Sequence, residues 1–411
     1  MPNIFDKAST DVFDNMDQLR DEFIPEDILH REEQIGELRS ALLPAMNGDT
    51  PSHAFLFGPN GTGKTVTSRY VTQQLKDAIE KQNEELSPED TQDITVVYAS
   101  CANCTSEYEI MIKVANQMLP EEDQLSPQGY MASTVVERLF EAINQQGDVV
   151  VLILDEVGRA KDLNNLFYQA SRPGQPGTHL DGTRLSIIAT ANNLKFRKNF
   201  SAAVESSLIE RSIEFPSYNA DELREILEMR AETAFTEQGI TEAAVHLTAA
   251  RAAQCNGDAR YGLTILLRAG EIAMSNGESP VTEEHIEEAR EHVDQQRISA
   301  SLSSYASSPQ YIIAALAHIE RHADDPDYNG VAGTEIKQVY HKICEDLAVD
   351  PVSNSTFYRR LSEFTDTELV EQRSSEGTKK RYKLIYSPDR VIESLDQMVR
   401  DALRQTPVIT E

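Results

Sequence analysis

Residues 58–65 read GPNGTGKT and fit G-x-x-x-x-G-K-[ST] at every fixed position. Glycines at 58, 61 and 63 permit a tight backbone turn whose successive N–H groups face one anion. The run VTSRYVTQQLKDAI that follows is helical in pattern and adds the partial positive charge of a helix N-terminus. The spacing therefore predicts a phosphate cradle formed by Gly58, Pro59, Asn60, Gly61, Thr62, Gly63, Lys64, Thr65 and Val66. Lys64 is expected to reach the β- and γ-phosphates of ATP, or the β-phosphate of ADP, with the Thr65 hydroxyl on Mg²⁺.

A second group of reactive side chains follows a second apolar run. In VVVLILDEVGRA, Asp155 and Glu156 end a segment with the composition of a buried strand. Ligands bind at the C-terminal ends of such strands in open α/β sheets. Asp155 is expected in the shell of the Mg²⁺, and Glu156 as the base that polarises an attacking water. One strand later, SIIATANN ends in Asn192 or Asn193, either of which would present a neutral amide able to orient that water.

The elements that would hold these groups are legible in outline. HAFLFG (53–58), DITVVYAS (93–100), DVVVLILDE (148–156) and RLSIIATAN (184–192) are continuous apolar or β-branched runs separated by amphipathic helical patterns. Strands covered on both faces have this composition, so 21–216 reads as an α/β parallel sheet. From NADELREILEMRAETAF, capped by Asn219, the periodicity turns helical, with helices expected at 241–255, 258–275 and 282–298. The serine-rich SASLSSYASSPQ (299–310) reads as a linker. Helical patterns at 309–322, 333–347 and 353–364, then two β-type runs around a glycine turn, give the order of a winged helix-turn-helix.

Composition sets the surroundings. The 411 residues carry 68 acidic against 38 basic side chains, a net charge of -30. That balance argues against nucleic acid as a partner, unless the surface is built for a salt-rich cytosol in which carboxylates keep the protein hydrated and their repulsion is screened. Under the second reading, local charge carries the information. Three of the thirteen lysines, Lys379, Lys380 and Lys383, fall within SSEGTKKRYKLIY (374–386) together with Arg381. A hairpin tip so charged is suited to DNA phosphates or a minor groove; it is also how an edge hairpin is guarded against aggregation. In NSTFYRRLSEF (354–364), Thr356, Arg359 and Arg360 are placed to face a groove, with Phe357, Leu361 and Phe364 turned inward. No run is long enough for a membrane helix and the N-terminus lacks a signal-peptide pattern, so a cytoplasmic protein with no membrane partner is expected, nucleoid-associated under the DNA-binding reading of the hairpin.

In this order, P-loop, Asp-Glu strand, strand-Asn, helical segment and winged helix resemble the archaeal origin-recognition initiators of the AAA+ class. The resemblance extends to FIPEDILHREEQIGEL (23–38), VVYASCANC, SSLIERSIEFPSYNADELREIL and GDARYGLTILLRAGEIA (257–273) and covers about residues 20–390. It implies that Ile28, His30 and Arg31 lie by the adenine, that Asn192 is the sensor-1 residue and that Arg260 is the sensor-2 arginine. It further implies duplex origin DNA, a replicative helicase and other initiator subunits as partners, and slow ATP hydrolysis serving a conformational switch. The expected division is an N-terminal tail (1–20), an AAA+ core (21–216), a helical lid (217–298), the linker, a winged helix (311–390) and a C-terminal tail (391–411).

One departure bears on activity. The family commonly places an arginine shortly before SSL, to be offered to a neighbour's nucleotide, and this chain has Ala203 there; Arg197, Lys198 and Arg211 are close in sequence only. That favours, as a second reading, a nucleotide-regulated DNA-binding regulator or plasmid-maintenance protein; a DNA-stimulated AAA+ motor is a third. Cys101 and Cys104 have C-x-x-C spacing without a second pair and read as structural. LSPQGYMAST (125–134) lies where the family carries a DNA-touching helical element, which would put Gln128 or Tyr130 near DNA.

Overall fold

The computed structural model describes residues 12–160, 162–208, 210–303, 307–323, 329–367, 369–374 and 380–404. The first half of the chain runs α1 (Glu32–Leu42), β1 (His53–Phe57), α2 (Lys64–Asn83), β2 (Ile94–Ser100), α3 (Glu107–Met118), α4 (Ala132–Asn144), β3 (Val149–Asp155), α5 (Asn164–Ala170), β4 (Arg184–Ala191), α6 (Ala202–Ser207) and β5 (Glu210–Glu214). Helices α7 (Ala220–Ala234), α8 (Glu242–Gln254), α9 (Ala259–Asn276) and α10 (Glu283–Ser303) follow. The C-terminal part comprises α11 (Ser307–Arg321), β6 (Val331–Ala332), α12 (Gly333–Asp346), α13 (Asn354–Asp366), β7 (Val370–Ser374), β8 (Lys380–Leu384), α14 (Pro388–Glu393) and α15 (Gln397–Leu403). Two compact units result: Phe13–Gln238 with Val245–Leu263, and Gly239–Ala244 with the chain from Thr264 onward.

In the first unit five parallel strands lie in the order β2-β3-β4-β1-β5. Every residue of β3 is buried, as its unbroken apolar composition requires of a strand covered on both faces. Phe55, Leu152, Ile187 and Phe140 belong to the core on one face, and Leu56, Ile153, Ile188 and Leu75 to the core on the other. The strands pair in register so that Phe57 lies beside Ala191 and Ser100 beside Asp155, which brings their C-terminal ends to one edge.

Four of these strands match the expected runs; β5 does not. Its sequence, Glu-Arg-Ser-Ile-Glu, buries only Ile213, because an edge strand pairs on one side and needs little apolar surface. The expected N-terminal tail is also corrected from residue 13 on. The backbone N–H groups of Asp14 and Asn15 donate to the carbonyl of Ala234, and Leu19 is buried.

Asn219 caps α7 in a full capping box with Glu222. In the second unit the serine-rich stretch is not an open linker: α10 continues to Ser303 and α11 begins at Ser307. Ile298 and Leu302, one helical turn apart, are buried in the same core as α11, α12 and α13, and that burial outweighs the modest helix preference of serine. Helices α11, α12 and α13 match the expected patterns, and Phe357, Leu361 and Phe364 are fully buried. The strands form an antiparallel sheet in the order β6-β8-β7. The expected C-terminal tail instead carries α14 and α15, with Val391, Val399 and Leu403 in the core. The α/β core, the helical segment and the winged helix are thus all present. No helix among the described residues is long and apolar enough to cross a membrane.

Candidate functional site

The phosphate-cradle sequence leaves β1 and enters α2 through backbone that side chains would obstruct. A Cβ on Gly58 would fall 2.0 Å from the carbonyl oxygen of Phe215, and one on Gly61 would fall 1.7 Å from Asp258 Oδ1. Gly61 also has φ +66, in the left-handed region. Close approach of the Phe215 backbone therefore explains Gly58, and the Asp258 carboxylate together with the left-handed backbone explains Gly61. Lys64, 7% exposed, donates to the carbonyls of Gly58 (2.7 Å) and Pro59 (2.6 Å), folding its ammonium back over the loop.

Asp155 gathers three hydroxyl donors at the strand ends. Thr65 Oγ1 and Thr190 Oγ1 donate to Oδ1 at 2.9 and 2.6 Å, and Tyr98 OH donates to Oδ2 at 2.8 Å. Burial and the Asp155 carboxylate push the Tyr98 phenol upward, so it stays a donor, and the Arg69 guanidinium stacks 4.0 Å from its ring centre. A hydroxyl and a carboxylate oxygen that meet in this way are hard donors of the type Mg²⁺ takes. Glu156 is exposed and sits in left-handed backbone (φ 62), with its N–H donated to Thr190 Oγ1 at 2.9 Å.

These groups open onto one cavity of about 990 Å³, including its mouth. Its lining combines the loop from Asn60 to Val66 with Asp155, Glu156, Thr190 and Asn192, apolar side chains such as Ile28, Ile226, Met229 and Leu263, and the charged Asp21, Arg230 and Arg260. A polyanion cradle beside apolar side chains suits a nucleotide. Of the two asparagines, Asn192 lines the cavity, whereas Asn193 Oδ1 accepts the N–H of Lys195 at 3.0 Å. Arg260, in the first turn of α9, lines the cavity as well. The start of that helix is tied to the loop by Ala259 N–H donating to the Gly61 carbonyl at 3.1 Å.

Arg31 and His30 do not line the cavity. Arg31, 2% exposed, donates to the carbonyls of Thr62 (2.9 Å), His30 (2.8 Å) and Pro216 (2.7 Å), and lies 3.7 Å from the Tyr218 ring centre. Its guanidinium therefore clamps the loop from behind, and burial lowers its pKa. His30 Nε2 lies 2.9 Å from Glu225. The sequence reading missed Thr190, Tyr98 and Arg230. A hydroxyl in the apolar interior of the run IIATA was the available signal for Thr190; Arg230 had none. Arg230 is 6% exposed, donates to the Gln18 carbonyl from both Nε and Nη2, and lies 4.8 Å from the Phe23 ring centre, with burial lowering its pKa to about 10.

Ala203 lies on α6, and its carbonyl accepts from Arg172 Nη2 at 3.0 Å. Arg197 is paired with Glu210 and bonded to Ser212. Cys101 and Cys104 are buried in the core, and burial pushes the Cys101 thiol up to about 12. Residues 125–131 form no helix; Tyr130 is 41% exposed.

In the second unit, Ser353 caps α13 through the Thr356 N–H, and its hydroxyl also contacts the Thr356 hydroxyl at 3.0 Å. Arg359 is exposed, while Arg360 is paired with Glu363 at 2.7 Å. Lys380 is exposed; Arg381 donates to the Gly330 carbonyl at 2.6 Å and stands opposite Arg373 across the ladder. Lys383 lies opposite Glu371. Strand alternation therefore puts Arg381 and Lys383 on one face and Lys380 on the other. Lys379 lies outside the described residues.

Comparison with known proteins extends the likeness over nearly the whole chain. Residues 28–176 match the model of an AAA ATPase domain, 224–291 that of the Cdc6 AAA+ ATPase-type lid domain, and 301–394 that of the CDC6 C-terminal winged helix domain. The chain is 33% identical over 368 residues to the ORC1-type DNA replication protein of Thermococcus kodakarensis, covering 88% of this chain and 84% of that one. It is 28% identical over 400 residues to ORC1-type DNA replication protein 11 of the halophile Haloarcula marismortui, covering 96% and 94%. Among solved structures, the Aeropyrum pernix ORC1 protein in complex with DNA superposes with a TM-score of 0.68 at 26% identity, covering 98% and 99%. The Aeropyrum pernix ORC2 protein in its ADPNP-ADP complexes has the same fold, with a TM-score of 0.63 at 18% identity over 95% and 99%.

Proposed function

This chain belongs to the family of ORC1-type DNA replication proteins, AAA+ ATPases with a Cdc6-type lid and winged helix, and from that premise we propose that it binds duplex origin DNA under the control of bound ATP or ADP. The observation that carries the reading is the single cavity onto which the loop of Lys64, the Asp155-Glu156 strand end, Asn192 and Arg260 all open. Family membership implies nucleotide binding, and apolar side chains such as Ile28 give the base a place.

In this reading the loop N–H groups and Lys64 bind the phosphates, while Thr65 and Asp155 hold the Mg²⁺. That ion, when bound, neutralises phosphate charge and polarises the scissile oxygen. Glu156 takes the proton of the attacking water and Asn192 orients it. Arg260, in the first turn of α9, would reach the phosphates across the cavity, so that bound nucleotide would link α9 to the loop. Hydrolysis is slow, and the bound nucleotide acts as a switch.

Arg359, Thr356 and the wing lysines meet the duplex, and recruitment of the replicative helicase follows at the origin. The protein acts in the cytoplasm, on the nucleoid, alongside other initiator subunits. The core to Pro216, the helical lid after it and the winged helix to Arg390 are the working parts of this reading.

The test is chromatin immunoprecipitation of the tagged protein in its own cells beside a Lys379/Lys380/Arg381→Ala variant. Sharp peaks at sites where replication starts, lost in the variant, support the initiator. The alanine at position 203 favours a second reading, a nucleotide-bound DNA regulator that activates no neighbour; peaks confined to promoters would establish that one instead.

A further inference from the structure

The cavity built for phosphates carries a carboxylate at its rim. Asp21 Oδ2 lies 3.4 Å from Arg260 Nε, with side chains 52% and 44% exposed, and both residues line the cavity. The Asp21 charge also acts on Arg230, partly offsetting the effect of burial on that guanidinium. An acid in such a position occupies a cation that an incoming polyanion needs.

Asp21 is held there by the fold. The chain just before it is bonded to Ala234 through Asp14 and Asn15 and to Arg230 through the Gln18 carbonyl, and Phe23 lies under the Arg230 guanidinium. These contacts hold the backbone on either side of Asp21 beside the cavity, within reach of Arg260.

We infer that Asp21 is a built-in competitor for the outermost phosphate, holding Arg260 when that phosphate is absent and yielding it when ATP enters. The inference rests on the reading of the cavity as the nucleotide site and gives that site a regulator: Asp21 sets how strongly the triphosphate is preferred to the diphosphate. A half-exposed pair of this kind is worth about a two- to five-fold change in affinity. Neutralising Asp21 removes the competitor, so ATP binds more tightly; ADP, which does not need Arg260, gains less.

The experiment is equilibrium dialysis of radiolabelled ATP and ADP with Mg²⁺ at one fixed salt concentration. It uses the full chain as wild type, Asp21→Asn, Arg260→Ala and the double variant, with Asp21→Ser as a second neutral replacement. The expected result is a two- to five-fold fall in the Kd for ATP and a smaller change for ADP in both Asp21 variants. In the Arg260→Ala background, Asp21→Asn should leave the ATP-to-ADP ratio unchanged. Equal tightening of both nucleotides, or a change of ratio that survives without Arg260, would overturn the inference while leaving the nucleotide reading intact. Failure of the wild type to bind either nucleotide would remove both.

Discussion

Thr190 Oγ1 donates to Asp155 Oδ1 at 2.6 Å and, with the same oxygen, accepts the backbone N–H of Glu156 at 2.9 Å. One fully buried hydroxyl on β4 thus orients the carboxylate of Asp155 and anchors the left-handed backbone of Glu156. A non-glycine residue in that region persists only where its surroundings enforce it.

Replacing Thr190 with valine keeps the shape and deletes both bonds. We expect a loss of about 1–3 kcal/mol, the cost of leaving buried polar groups unsatisfied, read by urea denaturation. Turnover of ATP should fall further than stability alone explains, and Thr190→Ser should restore both. A valine variant with wild-type stability would show that the hydroxyl orients nothing.

His53 sets a pH dependence. Its Nδ1 accepts the N–H of Ile187 at 3.0 Å, and complete burial lowers its pKa to about 4, so the ring is neutral in the fold. The unfolded chain takes up the proton near its ordinary value of about 6.5. Between those values the unfolded state binds more protons, so stability is full above about pH 6.5 and falls by about 1.4 kcal/mol per unit as pH drops toward 4. His53→Asn keeps an acceptor without the titration. The slope of unfolding free energy against pH over this window should be shallower in that variant, and equal slopes would refute the assignment.

The wing residues should separate by their partners. Lys380 is exposed, whereas Arg381 spends a guanidinium nitrogen on the Gly330 carbonyl. Lys380→Ala is expected to leave the melting temperature alone and to reduce the salt slope of duplex binding by about 0.9 in log–log terms if it neutralises one phosphate. Arg381→Ala should lower the melting temperature as well, through loss of a hydrogen bond worth about 1 kcal/mol. Fluorescence anisotropy over a salt series, beside thermal melts, distinguishes the two.

Arg31 should behave as a structural clamp. Arg31→Ala leaves three carbonyls without their donor and uncovers Tyr218, for an expected loss on the order of 3 kcal/mol. Arg31→Lys should recover little of it, because one ammonium cannot reproduce a planar fork aimed at Thr62, His30 and Pro216. A lysine variant as stable as wild type would contradict this account.

Where periodic burial forced a pattern into the chain, the sequence was readable. Strand β3 is buried on both faces and reads Val-Val-Val-Leu-Ile-Leu; the cap at Asn219 follows from a side chain that bonds the first turn. Strand β5 was not readable, since Ile213 alone faces the core. In the cavity, the loop and the Asp-Glu pair announce themselves through local spacing, whereas Arg230, the Asp21–Arg260 pair and the clamp at Arg31 join segments far apart in the chain. Such partnerships leave no local period. Arg31 in particular is one of the residues expected beside the base, yet it is turned toward the back of the loop, a choice made by the stacked Tyr218 and the carbonyl of Pro216.

Helix α10 has a mechanical consequence. Its 21 residues form an uninterrupted shaft about 30 Å long, and Asp294 on it is paired with Arg390 while Gln295 Nε2 bonds Ser394 Oγ at 2.9 Å. A slack tether would absorb the loss of one residue between Ser299 and Ser303. A shaft instead turns everything beyond the deletion by about 100° and draws it in by about 1.5 Å. The angular phase of α13 is therefore written into the length of a serine-rich stretch, as the timing of a camshaft is written into its keyway.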